Sequence, residues 1–297
     1  MMSASTSLSG SDLSITVARR GAELTSIRDS CGEWLWQGDP AIWARQSPVL
    51  FPIIGAVPGG LVRYGQQEWP MPSHGFAPLS EFALITREQA RGTWRLTQSE
   101  GTLRHFPFPF RLDIEYALEG RMLAMAARVE NTGAQSMPYA LGFHPGFALP
   151  MPGGSGAPLA EYGIAFTHEE THLHRVTPLG LVAAPGTVDL SGRYLPLGAA
   201  RLSEGAMVLG AVRSERVWLG AANRPGIGVD LGGFAQLGLW SKPGAPFFCI
   251  EPWQGLPVPA GSTAEVADLP AMTRLAPGAI REHRCVVRFG VERADWI

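Results

Sequence analysis

The strongest constraint on this chain is a series of short runs that alternate apolar and polar residues and are separated by turn residues. Such runs cover 13–18, 94–99, 110–118 and 121–131, and further runs continue towards the C-terminus. The 297 residues include 36 glycines and 25 prolines, which are frequent in turns and unfavourable in helices. No apolar repeat of helical period extends beyond about two turns. The pattern therefore predicts an all-β sandwich or barrel.

Two of the runs predict a β-hairpin. Segments 110–118 and 121–130 flank Glu119-Gly120, which suits a tight turn. The second segment has good helix propensity, but its apolar residues alternate, which favours a strand: Leu123, Met125, Ala127 and Val129. Segment 48–55 is continuously apolar and predicts a strand buried on both faces.

The composition suggests one domain. Residues 1–11 are rich in serine and predict a flexible N-terminal tail, and residues 12–297 show no shift that would divide a second domain. The Gly- and Pro-rich segment 151–158 has strand-like runs on both sides, so we interpret it as a surface loop.

Charge, hydropathy and cysteine content exclude several classes of protein. A formal net charge of −2 argues against a dedicated nucleic-acid partner. No apolar run reaches the length of a membrane span, and the first residues do not resemble a signal peptide. Cys31, Cys249 and Cys285 are too few and too scattered for a disulfide framework. We expect reduced thiols, no membrane partner and a cytoplasmic location.

Three segments join a titratable residue to an apolar strand and a bend. They contain His74 in 72–78, His144 in 142–147 and Glu251 in 247–253. A carboxylate at the end of a buried strand is costly unless it is paired or used. The nearby Trp253 offers a flat apolar surface of the kind on which sugar C–H groups pack. Spacing alone does not show that these residues converge.

The order of several short motifs adds a resemblance to a known family. The chain reads SPVLFPIIG, MPSHGFAP, LGFHPGFALP, LGLWSKPGAP and FFCIEPWQGL in that order, after GAELTSI and WLWQGDPAIW. This set resembles the aldose 1-epimerase (galactose mutarotase) family, and in particular a bacterial branch with HGF, HPAF-like and CIEPW motifs. The resemblance extends over roughly residues 13–290.

The resemblance implies a fold, a reaction and roles for the candidate residues. The fold is a large antiparallel β-sandwich of the galactose mutarotase type. The reaction interconverts the α and β anomers of a free aldose, and needs neither a metal nor another cofactor. Glu251 matches the general base for the anomeric hydroxyl, His144 the general acid for the ring oxygen, and His74 a second histidine that binds the sugar.

The chain departs from the family pattern around the sugar. Pro78 and Ala56 stand where arginines are usual, and in the segment EGAMVL Gly205 takes the acidic position, with Glu204 one residue early. Arg63 is the candidate to replace the missing arginines. Their loss weakens the case for a phosphorylated sugar. A hexose-6-phosphate mutarotase and a non-catalytic sugar-binding protein remain the alternatives.

Two other features have competing interpretations. Residues 168–172 match the H-E-x-x-H pattern of zinc proteases, with His174 nearby, but the preceding residues predict a strand and Pro178 would end a helix. We therefore expect a polar loop or strand edge without a metal. The tryptophan-rich segment with Trp34, Trp36 and Trp43 is expected to pack in the core rather than to line a sugar site.

Overall fold

The computed structural model describes residues 4–65, 67–153, 157–170, 173–176, 193–198, 206–262 and 264–297. The strands of the first half of the chain are β1 Ser5–Ser9, β2 Ser14–Ala18, β3 Leu24–Asp29, β4 Gly32–Glu33, β5 Val49–Leu50, β6 Leu61–Tyr64, β7 Gln67–Pro70, β8 Ala83–Arg87, β9 Arg91–Thr97, β10 Phe110–Glu119, β11 Met122–Asn131, β12 Met137–Tyr139, β13 Leu141–Phe143 and β14 Gly146–Ala148. Those of the second half are β15 Tyr162–Phe166, β16 Leu173–Arg175, β17 Tyr194–Pro196, β18 Met207–Leu209, β19 Arg216–Ala221, β20 Gly226–Asp230, β21 Gln236–Trp240, β22 Phe247–Gln254, β23 Thr273–Leu275 and β24 Ile280–Val291.

Helical structure in the described part of the chain is limited to short pieces. One α-helical turn, α1, covers Glu100–Leu103. Single 3₁₀ turns cover Pro58–Gly60, Ala77–Leu79, Leu159–Glu161, Val266–Asp268 and Arg293–Asp295. No helix among the described residues is long and apolar enough to cross a membrane.

The strands form two large antiparallel sheets and three smaller ones. The nine-stranded sheet has the order β17-β15-β19-β20-β24-β11-β10-β9-β8. The seven-stranded sheet has the order β16-β18-β21-β22-β13-β5, with β14 also paired to β22. A four-stranded sheet, β1-β2-β3-β4, and the pairs β12-β23 and β6-β7 complete the fold. This is the antiparallel β-sandwich that the sequence predicts.

The core lies between the two large sheets. Phe147 of β14 contacts Phe289 of β24, with 6.3 Å between ring centroids, and Phe289 also contacts Trp34 at 5.3 Å. All three side chains belong to one continuous apolar cluster. Trp34 therefore packs in the core, as expected from the sequence.

Strand β22 is covered on both faces, and this decides where polar chemistry can be placed. Phe248 and Ile250 point into the main core. The alternate residues Cys249, Glu251 and Trp253 lie on the opposite face, because successive side chains of a strand alternate. That second face of the seven-stranded sheet carries the site described below.

The predicted hairpin forms, with its turn displaced by one residue. Strands β10 and β11 pair from Phe110 with Asn131 to Glu119 with Met122, so the turn residues are Gly120 and Arg121. Gly120 has a φ of 55°, which a glycine adopts without strain. The alternating apolar residues of β11 are buried, as the pattern predicts.

Segment 48–55 differs from its prediction. It is buried, but only Val49–Leu50 forms a strand. Pro52 has no N–H to donate to a ladder, and its carbonyl accepts a hydrogen bond from the Ala140 N–H instead. The carbonyl of Phe51 accepts from the Ala77 N–H, so the backbone is satisfied by irregular contacts with the loops around it.

The prediction of a flexible tail over residues 1–11 is wrong for the part that the structure describes. Ser5–Ser9 forms β1, which pairs along its whole length with β2. Leu8 is only 1% exposed and packs in the main core, and the Ser7 hydroxyl lies 3.2 Å from that of Thr16. One buried leucine and a complete backbone ladder outweigh the flexibility suggested by the serines.

A buried histidine of the core makes the stability of the fold sensitive to acid. His283 of β24 hydrogen-bonds the Tyr139 hydroxyl at 2.9 Å and stacks on Phe234. Burial, with a smaller contribution from Arg281, lowers the pKa of His283 from 6.5 to about 4. The unfolded chain therefore binds a proton at this histidine at a higher pH than the folded chain does.

We predict that His283→Gln reduces the acid sensitivity of folding. As the pH falls from 7 to 5, His283 is protonated only in the unfolded state, which lowers the free energy of unfolding by ~2 kcal/mol. Glutamine retains a polar partner for Tyr139 but does not titrate. Urea unfolding of both proteins at the two pH values measures the difference, and an identical pH dependence would contradict the prediction.

Candidate active site

Strand register brings His144 and Glu251 together. Strands β13 and β14 both pair with β22, Gly142 lying opposite Trp253 and Gly146 opposite Cys249. The same register, continued across the gap between β13 and β14, places His144 opposite Glu251. His144 Nε2 lies 3.3 Å from Glu251 Oε2.

The break between β13 and β14 has a local cause. Pro145 has no N–H, so the ladder to β22 cannot run through it. On the opposite edge, the His144 N–H donates to the Pro48 carbonyl and the Gly146 N–H to the Gln46 carbonyl, which continues the register of β13 with β5. The motif HPGF thus interrupts one side of the ladder while it keeps the imidazole opposite the carboxylate.

His74 completes the polar cluster from a loop. Its ring stands edge-on to that of His144, with 5.6 Å between centroids. His74 has a φ of 62° and Gly75 one of 75°, and a side chain at Gly75 would lie 2.1 Å from the Phe51 carbonyl oxygen. Glycine is therefore required at position 75 by a tight turn against segment 48–55.

The hydrogen bonding of His74 fixes its tautomer. Its Nδ1 accepts a hydrogen bond from the Gly55 N–H at 3.2 Å. Burial, and secondly the charge of Arg45, lowers its pKa to about 4, so the ring is neutral near pH 7. In a neutral ring whose Nδ1 accepts, the proton is on Nε2. His74 thus has one N–H donor available.

Burial sets the electrostatics of the central pair. Glu251 is 1% exposed and His144 is 6% exposed. Burial raises the pKa of Glu251 well above its usual range, an effect that the nearby Trp253 indole partly opposes. Burial and the neighbouring His74 lower the pKa of His144. Both shifts favour the neutral forms, which are a protonated Glu251 and an unprotonated His144. The buried pair therefore holds one proton between its two members.

Trp253 is held by two glycines. A side chain at Gly142 or at Gly238 would lie 2.5 Å from the indole of Trp253, which therefore spreads across the neighbouring strands. The ring also packs with Leu50 and Ile54. Its N–H and Glu251 Oε2 have no hydrogen bond of ordinary geometry among the described residues. Trp253 lies beside the pair, and its contact with a sugar remains a prediction.

Two other tryptophans enclose His144. Trp43 stacks on the imidazole with 5.0 Å between centroids and 28° between planes. Trp240 meets the imidazole edge-on at 5.6 Å and Trp43 edge-on at 5.3 Å. Both indoles are half-buried. Trp43 lies outside the main core that was expected to hold it, and packs instead on Phe247 in a small cluster on the face that carries Glu251.

The loop that carries Trp43 is held by its own backbone. The Trp43 carbonyl accepts hydrogen bonds from the Trp36 indole N–H at 2.8 Å and from the Asp39 N–H at 3.1 Å. The Lys242 ammonium donates to the Ile42 carbonyl. The motif WLWQGDPAIW marks this loop in the sequence, but not its position against His144, which depends on contacts with distant segments such as that of Lys242.

The two candidate arginine positions have different environments. Arg63 of β6 lies 3.9 Å from Glu265 in an ion pair. The cation whose charge acts on His74 is Arg45, which donates to the Pro78 carbonyl at 3.0 Å and to Glu23 at 3.2 Å. Sequence reasoning missed Arg45, although it reaches the position where Pro78 replaces the family arginine. A role for Arg63 in sugar binding stays a prediction.

The zinc-protease pattern has no helix in the described residues. Tyr162–Phe166 is a strand, as predicted, and His168 follows it in a bend. The Glu170 carboxylate accepts hydrogen bonds from the N–H groups of Arg213 and Ser214. His172 lies outside the described residues, as do Glu204 and Gly205, so the predictions for them are not followed further.

Comparison with known proteins identifies the family. The family model for aldose 1-epimerase matches residues 5–173. This chain belongs to the aldose 1-epimerase family. The LacX proteins of Lactococcus lactis subsp. lactis are 30% identical over 283 residues, which cover 89% of this chain and 92% of LacX.

Two solved structures share the fold of this aldose 1-epimerase family member. A galactose mutarotase-like protein of Lactobacillus casei is 29% identical, with a TM-score of 0.89 over 96% of this chain and 99% of that one. A galactose mutarotase related enzyme of Lactobacillus acidophilus is 22% identical, with a TM-score of 0.90 over 97% and 99% of the two chains. The β-sandwich and the isomerase activity of a mutarotase, both expected from the motifs, are confirmed.

We predict that Gly75→Ala disrupts the site far more than a matched substitution elsewhere. The new methyl group would overlap the Phe51 carbonyl, so the loop that carries His74 must move. Gly278 has a similar φ of 70°, but a methyl group added there would have no atom within 4 Å, so Gly278→Ala adds only backbone strain of about 1 kcal/mol. Calorimetry and anomer-exchange rates compare the variants, and equal losses in both would contradict the prediction.

Proposed function

We propose that this aldose 1-epimerase acts on a free, unphosphorylated aldose, with Glu251 as general base and His144 as general acid. The observation that carries the proposal is the buried pair of Glu251 Oε2 and His144 Nε2, 3.3 Å apart. Neither group is neutralised by an arginine or lysine in a described ion pair. An acid and a base beside each other in a dry site match the demands of anomer exchange.

The proposed reaction moves two protons. Glu251 takes the proton of the anomeric O1 hydroxyl, and the C1–O5 bond breaks as O1 becomes a carbonyl oxygen. His144 gives a proton to O5, which becomes the C5 hydroxyl. Rotation about C1–C2 presents the other face of the aldehyde, and the reverse transfers close the ring with inverted configuration at C1.

The electrostatics of the pair support this cycle. After ring opening, the proton rests on Glu251 and His144 is neutral. This is the state that burial favours, since it raises the pKa of Glu251 and lowers that of His144. The open-chain intermediate therefore forms without a buried, separated charge. Hydrogen bonds from the sugar need to stabilise the charged pair, the Glu251 carboxylate and the protonated His144, only before ring opening.

Neighbouring side chains support binding of an uncharged sugar. The Nε2–H of His74 is a donor for a sugar hydroxyl, and the indoles of Trp43 and Trp240 offer apolar surfaces for C–H groups. The two candidate arginines, Arg45 and Arg63, are already paired with glutamates. A phosphate dianion would have to displace those partners, which argues against a hexose-6-phosphate.

The thiols support a reducing location. Cys31, Cys249 and Cys285 are all free in the structure. We propose a cytoplasmic enzyme, since unpaired thiols persist in reducing compartments.

Glu251→Gln is expected to lower the rate of anomer exchange by about 10²–10⁴-fold, because the amide cannot take the O1 proton. Sugar binding should persist, since the side chain keeps its shape. Polarimetry on galactose, glucose, xylose, arabinose and glucose-6-phosphate measures the rate. The control is Glu282→Gln, which should keep full activity, since the Glu282 side chain is 75% exposed.

The outcomes separate the alternatives. Exchange of glucose-6-phosphate alone would replace the proposal with a phosphosugar mutarotase. Saturable sugar binding without exchange in the wild type would indicate a binding protein. Full activity in Glu251→Gln would show that the base is another residue.

We also predict that Trp43→Ala raises KM more than it lowers kcat. Removal of the indole takes away an apolar surface worth ~1 kcal/mol, or about fivefold in binding. Trp43→Phe retains an aromatic face and should recover most of the affinity. A loss of kcat alone, with KM unchanged, would mean that Trp43 only orients His144.

A further inference from the structure

We propose that Cys249, His144 and Glu251 form a binding site for Zn²⁺, and that a bound ion excludes sugar turnover. Binding of the ion is independent of the proposed function, whereas the loss of turnover rests on it. The expectation of no metal followed from the family resemblance, whose reaction needs none, and the sequence does not show that the Cys249 sulfur lies near the other two groups.

Strand geometry brings the sulfur to the pair. Cys249 and Glu251 are two residues apart on β22 and therefore lie on the same face, with His144 opposite Glu251. One ligand atom from each residue lies within 4.8 Å of the others. All three residues are buried, and Cys249 has no exposed surface.

Two of the ligand atoms converge without bonding each other. Glu251 Oε2 is buried and has no hydrogen-bond partner among the described residues. It nevertheless lies 3.3 Å from His144 Nε2. That separation equals the edge of a tetrahedron whose corners are about 2.0 Å from its centre, the distance at which zinc binds nitrogen and oxygen.

The donor set suits zinc rather than calcium or magnesium. One sulfur, one imidazole nitrogen and one carboxylate oxygen are ligands that Zn²⁺ accepts together, and three protein ligands leave a fourth position open. A thiolate and a carboxylate together balance the charge of the ion, which a buried site requires. Trp43 and Trp240 pack against this face and limit its access to water.

The same ligands explain why turnover would stop. The proposed reaction needs Glu251 and His144 to bind and release protons, and an ion coordinated by both side chains would compete with those protons. Cys249 has no part in that reaction, although its sulfur lies within reach of both groups. The Cys249 thiol therefore adds affinity for a soft metal ion to the Glu251–His144 pair, whose proposed role is proton transfer.

Zinc titration against a chromophoric competing chelator tests the site in the purified, chelator-treated protein. Wild type should bind one equivalent of Zn²⁺, and Cys249→Ala should lower the affinity by on the order of 100-fold or more, since even outer partners of a ligand contribute 10–100-fold. Cys285→Ala is the matched control, because Cys285 is equally buried but lies outside the cluster. It should bind zinc as the wild type does.

Cobalt provides a second readout, since a thiolate-to-cobalt charge-transfer band should appear in wild type and Cys285→Ala but not in Cys249→Ala. Cys249→Ser replaces Cys249→Ala if the latter is unstable.

Absence of stoichiometric zinc, or equal affinity in Cys249→Ala, would overturn the site. If zinc binds through Cys249 but turnover of galactose continues unchanged, the site stands and the exclusion of sugar is wrong. If no sugar turns over at all, the binding result still decides the site.

Discussion

The antiparallel pairing of β22 with β13 and β14 is the constraint on which the rest of the site depends. One register decides that His144 faces Glu251 and that Gly142 leaves room for Trp253. A shift of one residue would turn Glu251 into the main core, where Phe248 and Ile250 now pack. The hydrophobic pattern of β22 therefore protects the geometry of the Glu251–His144 pair, because a misaligned strand would bury a carboxylate among apolar side chains.

Burial of an acid and a base side by side is unfavourable in free energy, and the packing of the surrounding sheet offsets this. The raised pKa of Glu251 and the lowered pKa of His144 have one cause, which is removal from water. A lysine or arginine bonded to Glu251 would stabilise the carboxylate but reduce its basicity. The site instead surrounds the pair with Trp43, Trp240 and His74, which exclude water without fixing the proton.

The fold was largely predictable from the sequence, whereas the site was predictable only in part. Period-two alternation identified strands such as β11 despite its helix propensity, because burial of one face outweighs intrinsic preference. The same reasoning failed for Ser5–Ser9, where backbone pairing ordered a polar segment. Motifs named His144 and Glu251, but the parts played by Trp43, Arg45 and Cys249 depend on contacts between distant segments. No local pattern encodes such contacts.

Two buried glutamates, Glu23 and Glu251, show that the same type of side chain can have opposite roles. Glu23 accepts hydrogen bonds from the N–H groups of Gln46 and Ser47 and from Arg45, so its charge is fully used in holding the segment that follows Trp43. Arg45 in turn binds the Pro78 carbonyl and so ties that segment to the turn after His74. Glu251 has an oxygen that no described residue satisfies. One wall of the site is thus held by a carboxylate whose oxygens are hydrogen-bonded, whereas the second carboxylate keeps an oxygen available for the proton transfer and the ion binding that we propose.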